Sequence, residues 1–217
     1  MPSPAENRSQ REIREEAMVI AAAQLFLKNH IDDVKMTDIA ELAGVGVASV
    51  YRYFGTKDAL LIRAGTFLWS DLQTLFGSVY GSEEFGKKNG FGKISELLGI
   101  YKTLFRDHPG FVRFVAEFDS FIIASKVERS ALAEYESRVL DFYPVFLSSY
   151  EAGIADGSVK RIPSPELYYT TVCHGVFSLA QKLLRGEILP GDGFSGTVEV
   201  DYLIDMAADY LRNDRKG

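Results

Sequence analysis

Apolar residues recur at three- and four-residue intervals along almost the whole chain, the spacing of helices that bury one face. Residues 1–10, with prolines and small polar residues, lack the pattern and read as a flexible arm. From 11 to 29, Ile13, Ala17, Ile20, Ala21 and Leu25 form a stripe, and His30 reads as the cap that ends this helix in preference to a ligand. A short helix over 37–43 sets Ile39, Ala40 and Ala43 on one face. The chain then turns at Gly44-Val45-Gly46 and enters a second short helix closed by Val50-Tyr51-Arg52-Tyr53-Phe54. A third helix starts at Lys57 and carries Leu60, Leu61, Ala64, Leu68, Leu72, Leu75 and Phe76 without a strong breaker, predicting one long rod.

Beyond it, the glycine-rich stretch 77–92 reads as a loop without a phosphate-cradling GxxxxGK pattern. A helix over 93–107 stops at His108-Pro109-Gly110. Residues 111–124 place Phe111, Phe114, Phe118 and Phe121 at helical spacing, and residues 128–155 read as a helix kinked at Pro144. Asp156-Gly157 turns the chain and Pro163-Ser164-Pro165 starts the next helix. The last two stripes are Tyr169, Val172, Cys173, Val176, Ala180, Leu183 and Leu184, then Val200, Leu203, Ile204, Ala207, Ala208 and Leu211. The pattern admits either core or subunit interface for this pair.

The segment 37–58 is the most informative. Thr37 is placed to cap the first short helix, although Ala40 three residues on leaves no reciprocal capping box. Gly44 falls where a left-handed residue ends a helix without a Cβ penalty. The turn of about three residues is that of a DNA-reading helix-turn-helix. With Gly46 as cap, Val45 and Val50 occupy the staple positions. Val50 and Phe54 face inward, leaving Val47, Ala48, Ser49, Tyr51, Arg52 and Tyr53 outside. A helix with small residues first and Tyr, Arg and Tyr later fits a major groove about 12 Å wide. Thr56 caps the next helix, Lys57 at its start is within reach of a phosphate, and Asp58 complements the dipole.

Residues from about 11 to 61, and above all Thr37-Asp38-Ile39-Ala40, Ala43-Gly44-Val45 and Val50-Tyr51-Arg52-Tyr53-Phe54-Gly55-Thr56-Lys57-Asp58-Ala59-Leu60, resemble the DNA-binding domain of TetR-type transcriptional regulators. The resemblance covers roughly the first quarter of the chain. It implies an all-α homodimer in which a three-helix N-terminal domain binds an operator and a divergent C-terminal domain binds an inducer and dimerises through the last two long helices. By resemblance Val47, Ala48, Ser49, Tyr51 and Arg52 fall on base-facing positions, and Thr37, Tyr53 and Lys57 on phosphate-facing ones. Two positions depart from the family pattern: Gly46 stands where Ser is common, and Val47 where a polar residue is common. Arg52 is then the best candidate for direct readout, and Val47 and Ala48 are limited to thymine methyls.

Composition and charge qualify this picture. The chain of 217 residues is 47% hydrophobic and 12% aromatic, enough for a substantial core. The single cysteine, Cys173, excludes an intramolecular disulfide framework and fits a reducing cytoplasm. The apolar run 17–27 is too short to span a bilayer, so no membrane association is expected. A formal net charge of -6 repels nucleic acid overall, and the N-terminal region is nearly balanced. Binding must therefore rest on a few placed contacts. Arg8 and Arg11 are able to reach a minor groove, but a solvated tail is the preferred reading.

For an effector pocket, which the resemblance implies, Trp69, Tyr101, Phe105, Phe114, Phe118, Phe121, Tyr143, Phe146 and Phe177 supply aromatic lining, and Glu117, Asp119, His174 and Gln181 supply polar groups. Aromatics at helical spacing are more often core. Catalysis finds no support: Cys173 and His174 point about 100° apart on a helix, the three histidines lack ligand spacing, and no CxxC is present. No metal, cofactor or enzymatic activity is expected. The sequence predicts an arm (1–10), a helix-turn-helix domain (11–60) and a larger helical effector-binding and dimerisation domain (61–217). The function expected is a cytoplasmic repressor, released from a palindromic operator by a small apolar or aromatic ligand. The alternatives are an all-α ligand-binding module or enzyme with a vestigial helix-turn-helix, and a helical protein–protein adaptor.

Overall fold

The computed structural model describes residues 4–139, 142–185 and 197–213. In chain order the helices are α1 (Pro4–Lys28), α2 (Met36–Leu42), α3 (Val47–Phe54), α4 (Lys57–Tyr80), α5 (Glu83–Lys87), α6 (Gly90–Asp107), α7 (Pro109–Ser125), α8 (Ala133–Val139), α9 (Tyr143–Asp156), α10 (Pro165–Leu184) and α11 (Val198–Leu211). A 3-10 turn, Arg129–Leu132, precedes α8. Among the described residues there is no strand, only an isolated antiparallel bridge between Val159 and Arg212. None of their helices is long and apolar enough to cross a membrane. Contacts divide the chain into two compact units, residues 1–71 with 114–139, and residues 72–113 with 140–217.

In the first unit α1 begins at Pro4, so most of the expected arm is helical; proline suits a first helical turn because its missing N–H has no intrahelical partner to lose. Residues 1–3 and the side chain of Arg8 lie outside the described residues. The buried face of α1 is also rotated from the expected stripe. Met18, Ala22 and Phe26 are fully buried, while Ile13 is 62% exposed. The alanine run 21–23 lets either stripe look apolar, and Phe26 decides between them by packing on Phe114 at 6.2 Å between ring centroids. His30 does not cap α1. Asn29 donates its side-chain amide to Leu25 O at 3.0 Å instead. His30 Nδ1 lies 2.5 Å from Glu117 Oε1, and the other oxygen of Glu117 accepts the Ile31 N–H at 2.7 Å.

In the second unit α6 packs against α9 and α11, and α10 against α9 and α11. The α6–α9 crossing runs backbone to backbone: a Cβ on Gly90 would fall 2.1 Å from the Gly153 Cα, so only glycine fits. Asp156 and Ser158 hold the first turn of α6, their side chains accepting the Gly90 N–H at 2.7 Å and the Phe91 N–H at 3.0 Å. A hydrogen bond from the Ser158 side chain, joined by the Gly90 and Ser158 N–H groups, favours the ionised Asp156 carboxylate and lowers its pKa.

Two sequence expectations are corrected here. The stretch 77–92 is not a loop: α4 persists to Tyr80, Ser82 Oγ caps α5 by accepting the Phe85 N–H at 3.1 Å, and Asn89 Oδ1 caps α6 by accepting the Gly92 N–H at 2.8 Å. Two of its polar residues, Ser82 and Asn89, are helix caps. Pro144 does not kink a helix but stands in the first turn of α9, where its missing donor costs nothing. α10 starts within Pro163-Ser164-Pro165 as expected, and Ser164 caps it by accepting the Leu167 N–H at 3.1 Å.

Candidate nucleic-acid interface

The helix-turn-helix forms where the local signals place it. Gly44 adopts φ +66°, ending α2, and the Val45 N–H returns to Ala40 O at 3.0 Å. Gly46 is the extended cap of α3, and its carbonyl accepts the Ser49 N–H at 2.8 Å. Val50 is completely buried, and α3 packs against α2, whose Met36, Ile39 and Ala40 are buried as well. That anchoring leaves Val47 (36% exposed), Ala48, Tyr51 (52% exposed) and Arg52 facing solvent, with Ser49 and Tyr53 half-buried. The face holds small and apolar groups first, then a phenol and a guanidinium, an order suited to a groove floor flanked by phosphates.

The two expected flanking contacts sit differently from expectation. Thr37 is exposed but is not the cap of α2, which starts at Met36 with Lys35 as cap residue. The shift places Asp38 at the third helical position, where its carboxylate accepts the Lys35 N–H at 3.0 Å, and the Thr37 hydroxyl donates to Asp38 Oδ1 at 3.2 Å. Lys57 follows Thr56, whose hydroxyl caps α4 by accepting the Ala59 N–H at 3.1 Å. The Lys57 ammonium donates to Ile31 O at 2.5 Å and Asp32 O at 3.4 Å, tying the start of α4 to the α1–α2 turn.

A feature missed in the sequence lies beside α3. Gln10, Arg11, Arg14, Arg52 and Tyr53 line a cleft of about 330 Å³. The Tyr53 ring carries two guanidinium groups, Arg52 at 5.6 Å and Arg11 at 5.7 Å from its centroid. On the same helix, Glu12, Glu15 and Glu16 line a separate cleft with Arg63, Thr66, Ser70 and Glu134. Residues three apart share a helix face. The run Arg11-Glu12-Ile13-Arg14-Glu15-Glu16, balanced in composition, thus divides between two clefts, and Glu15, although one turn from Arg11, reaches Arg63 at 3.7 Å.

The expected effector residues fall into both units. In the first, Phe114 and Phe118 are fully buried, Trp69 is 6% exposed, and Phe121 packs on Phe118 at 6.2 Å. The Trp69 Nε1–H donates to Tyr135 Oη at 3.0 Å, and Tyr135 lies 4.5 Å from the Phe118 ring. In the second, Phe105 and Phe146 are buried, Tyr101, Tyr143 and Phe177 half-buried, and His174 exposed. Tyr101 packs edge-on to Phe177 at 5.9 Å, and its hydroxyl meets Cys173 Sγ at 3.0 Å and Tyr169 Oη at 3.4 Å. Tyr169 and Cys173 thus join the cluster. Burial raises the pKa of Tyr101, Tyr169 and Cys173, keeping all three as neutral hydrogen-bonding groups. Glu117 is committed to His30 and Ile31. Among the described residues no group of three or more His, Cys, Asp or Glu is placed to hold a metal ion.

A solvent-facing reading helix set in the helical first unit, one tight turn after α2, defines a helix-turn-helix protein. Residues 19–64 match the family model for bacterial regulatory proteins of the TetR family, and the all-α architecture is similar to that of solved TetR-family regulators. Among similar solved structures is a TetR transcription regulator from Haloarcula marismortui (TM-score 0.65, 14% identity, 92% of this chain and 97% of that one). The ketosteroid transcriptional regulator KstR2 of Mycobacterium tuberculosis is similar with TM-score 0.60, 15% identity and coverages of 93% and 96%. FadR from Bacillus subtilis, solved in complex with stearoyl-CoA, is similar with TM-score 0.59, 12% identity and coverages of 91% and 99%. At these identities the likeness concerns the fold. No curated protein matches in sequence.

Proposed function

We propose that the protein is a homodimeric repressor that binds a palindromic operator and is released from it by a small apolar or aromatic effector. The observation that carries this reading is α3 itself: a helix clamped by a fully buried Val50 that turns Val47, Ala48, Tyr51 and Arg52 to solvent. In this reading Arg52 donates to a guanine edge, Val47 and Ala48 meet thymine methyls, and Ser49 and Tyr51 contact flanking bases or phosphates. Thr37, Tyr53 and Lys57 lie along the backbone, Lys57 through the donor its two carbonyl partners leave over.

The dimer is supported by α11, where Val198, Tyr202, Met206 and Tyr210 recur every four residues and are 48–66% exposed. On α10, Leu167 is 67% exposed and Leu184 38%. Such a row suits a symmetric helical interface. A Cβ on Gly175 would meet Leu203 at an ordinary 4.0 Å, so the protomer's own packing leaves that glycine free to serve a partner.

An apolar effector is supported by the half-buried cluster of Tyr101, Tyr143, Tyr169, Cys173 and Phe177, which combines ring faces with three neutral polar groups. FadR from Bacillus subtilis, similar in fold, was solved in complex with stearoyl-CoA, whose acyl chain is apolar. Effector binding would bias the continuous α4 rod and change the separation of two reading helices that must match grooves about 34–36 Å apart. The test is fluorescence anisotropy with duplexes drawn from the DNA flanking the protein's own coding sequence and from a random pool. Wild type is expected to bind a selected duplex saturably, and Arg52→Ala to lose that preference while remaining a folded dimer. Full retention of operator affinity in Arg52→Ala would refute the assignment.

A further inference from the structure

We propose that the cleft between α1 and α3 is a phosphodiester site, in which Arg11 and Arg14 grip a backbone phosphate of the duplex that α3 reads and Tyr53 serves as the shelf that holds the guanidinium groups in place. This rests on the operator-binding reading and assigns it two residues that the reading helix does not contain.

The site is built from cations held together without acids. Arg11 and Arg14 project from one side of α1, Arg52 from the end of α3, and all three line one cleft. Among the described residues none of the three has a carboxylate within ion-pair distance: Glu15, one turn from Arg11, reaches Arg63 of α4 instead, which is paired with both Glu15 and Glu134. The glutamates adjacent in sequence, Glu12, Glu15 and Glu16, line the other cleft. Gathering three like charges without a counter-ion is unfavourable unless an anion joins them.

The arginines are ordered from beneath by an aromatic face. Arg11 and Arg52 each lie within 5.7 Å of the Tyr53 centroid, the range of a cation–π contact. Such a contact restrains a guanidinium without using its N–H groups, which remain free to take phosphate oxygens in pairs. The expected role of Tyr53 changes accordingly: it positions the cations. The arrangement also answers the charge problem. A chain of net charge -6 approaches DNA through a patch of uncompensated arginines beside the reading helix.

The experiment is a salt titration of affinity, on the selected operator and on a random duplex, for the full-length protein. Arg11→Ala and Arg14→Ala are each expected to bind roughly tenfold more weakly at low salt. Each is expected to flatten the plot of log affinity against log salt by about one contact, equally on both duplexes. Sequence preference stays as in wild type. Arg14→Lys keeps the slope, Tyr53→Phe keeps it through the retained ring, and Tyr53→Leu flattens it. Circular dichroism and sedimentation confirm that each variant is a folded dimer. An unchanged slope in Arg11→Ala and Arg14→Ala, with wild type binding the operator, overturns this site alone. A loss confined to the operator assigns the arginines to base readout and overturns it too. Wild type with no affinity for any duplex overturns both this site and the operator-binding reading.

Discussion

Two aromatic clusters, one in each unit, are drawn from the same residue types at the same helical spacings and have become different objects. In the first unit Phe114 and Phe118 are sealed from solvent, and the polar ends of Trp69 and Tyr135 satisfy each other at 3.0 Å. In the second, Tyr101, Tyr143, Tyr169 and Phe177 are half-buried, and two phenols meet the Cys173 thiol. Ring content does not separate core from binding surface. What separates them is whether the polar ends of the rings are closed on one another within a filled core or gathered on a face that solvent still reaches.

The sharpest way to break the distinction is truncation. Phe118→Ala is expected to cost about 3–5 kcal/mol of unfolding free energy in urea, as for a sealed core ring. Phe177→Ala, removing a half-buried ring, should cost about 1–2 kcal/mol. Equal costs would erase the difference between the clusters. A smaller effect comes from the hydroxyls. Tyr135→Phe removes the acceptor of a buried indole N–H and should cost about 1 kcal/mol. Tyr101→Phe should change stability less than this and instead shift the effector concentration that releases DNA; an unshifted release curve would remove Tyr101 from the effector face.

The smallest effect is alkaline. Burial raises Cys173 and Tyr101 above their ordinary values of 9.0 and 10.0. The folded chain therefore keeps these protons after the unfolded chain has released its own. Their contribution to stability is complete below the unfolded values and is lost as pH climbs through and beyond them. Urea midpoints are expected to be flat to about pH 9 and to fall above it, with Cys173→Ala delaying the onset. An onset unmoved by that substitution would place the alkaline loss on the tyrosines, Tyr135 included, whose phenol burial also raises.

The helix-turn-helix was legible because its determinants are local: Gly44 at a left-handed turn, Gly46 at a cap, Val50 and Phe54 one turn apart. The long α4 was legible for want of a breaker. The buried face of α1 was not, since three consecutive alanines satisfy two stripes and the choice belongs to Phe114, far along the chain. The caps Ser82 and Asn89 hid in glycine-rich sequence. The links His30–Glu117 and Trp69–Tyr135 join residues 87 and 66 positions apart, a separation that no local spacing encodes. The basic cleft was not legible, because the helical period sets Arg11 beside Glu15 as well as Arg14, and the partner that draws Glu15 away, Arg63, lies on another helix.

The inclusion of residues 114–139 in the first unit has a practical meaning for anyone wishing to move this reading head onto another body. A fragment cut at residue 60 or 71 would leave behind the ring on which Phe26 packs and the carboxylate that holds the backbone of Ile31. A chimera would need to import the later part of α7 and α8 together with α1 to α4, as two pieces of chain spliced into the host at two points. The head is portable only as a discontinuous graft, and simple end-to-end fusions of its first sixty or so residues would carry the letters of the reading helix without the scaffold that spells them.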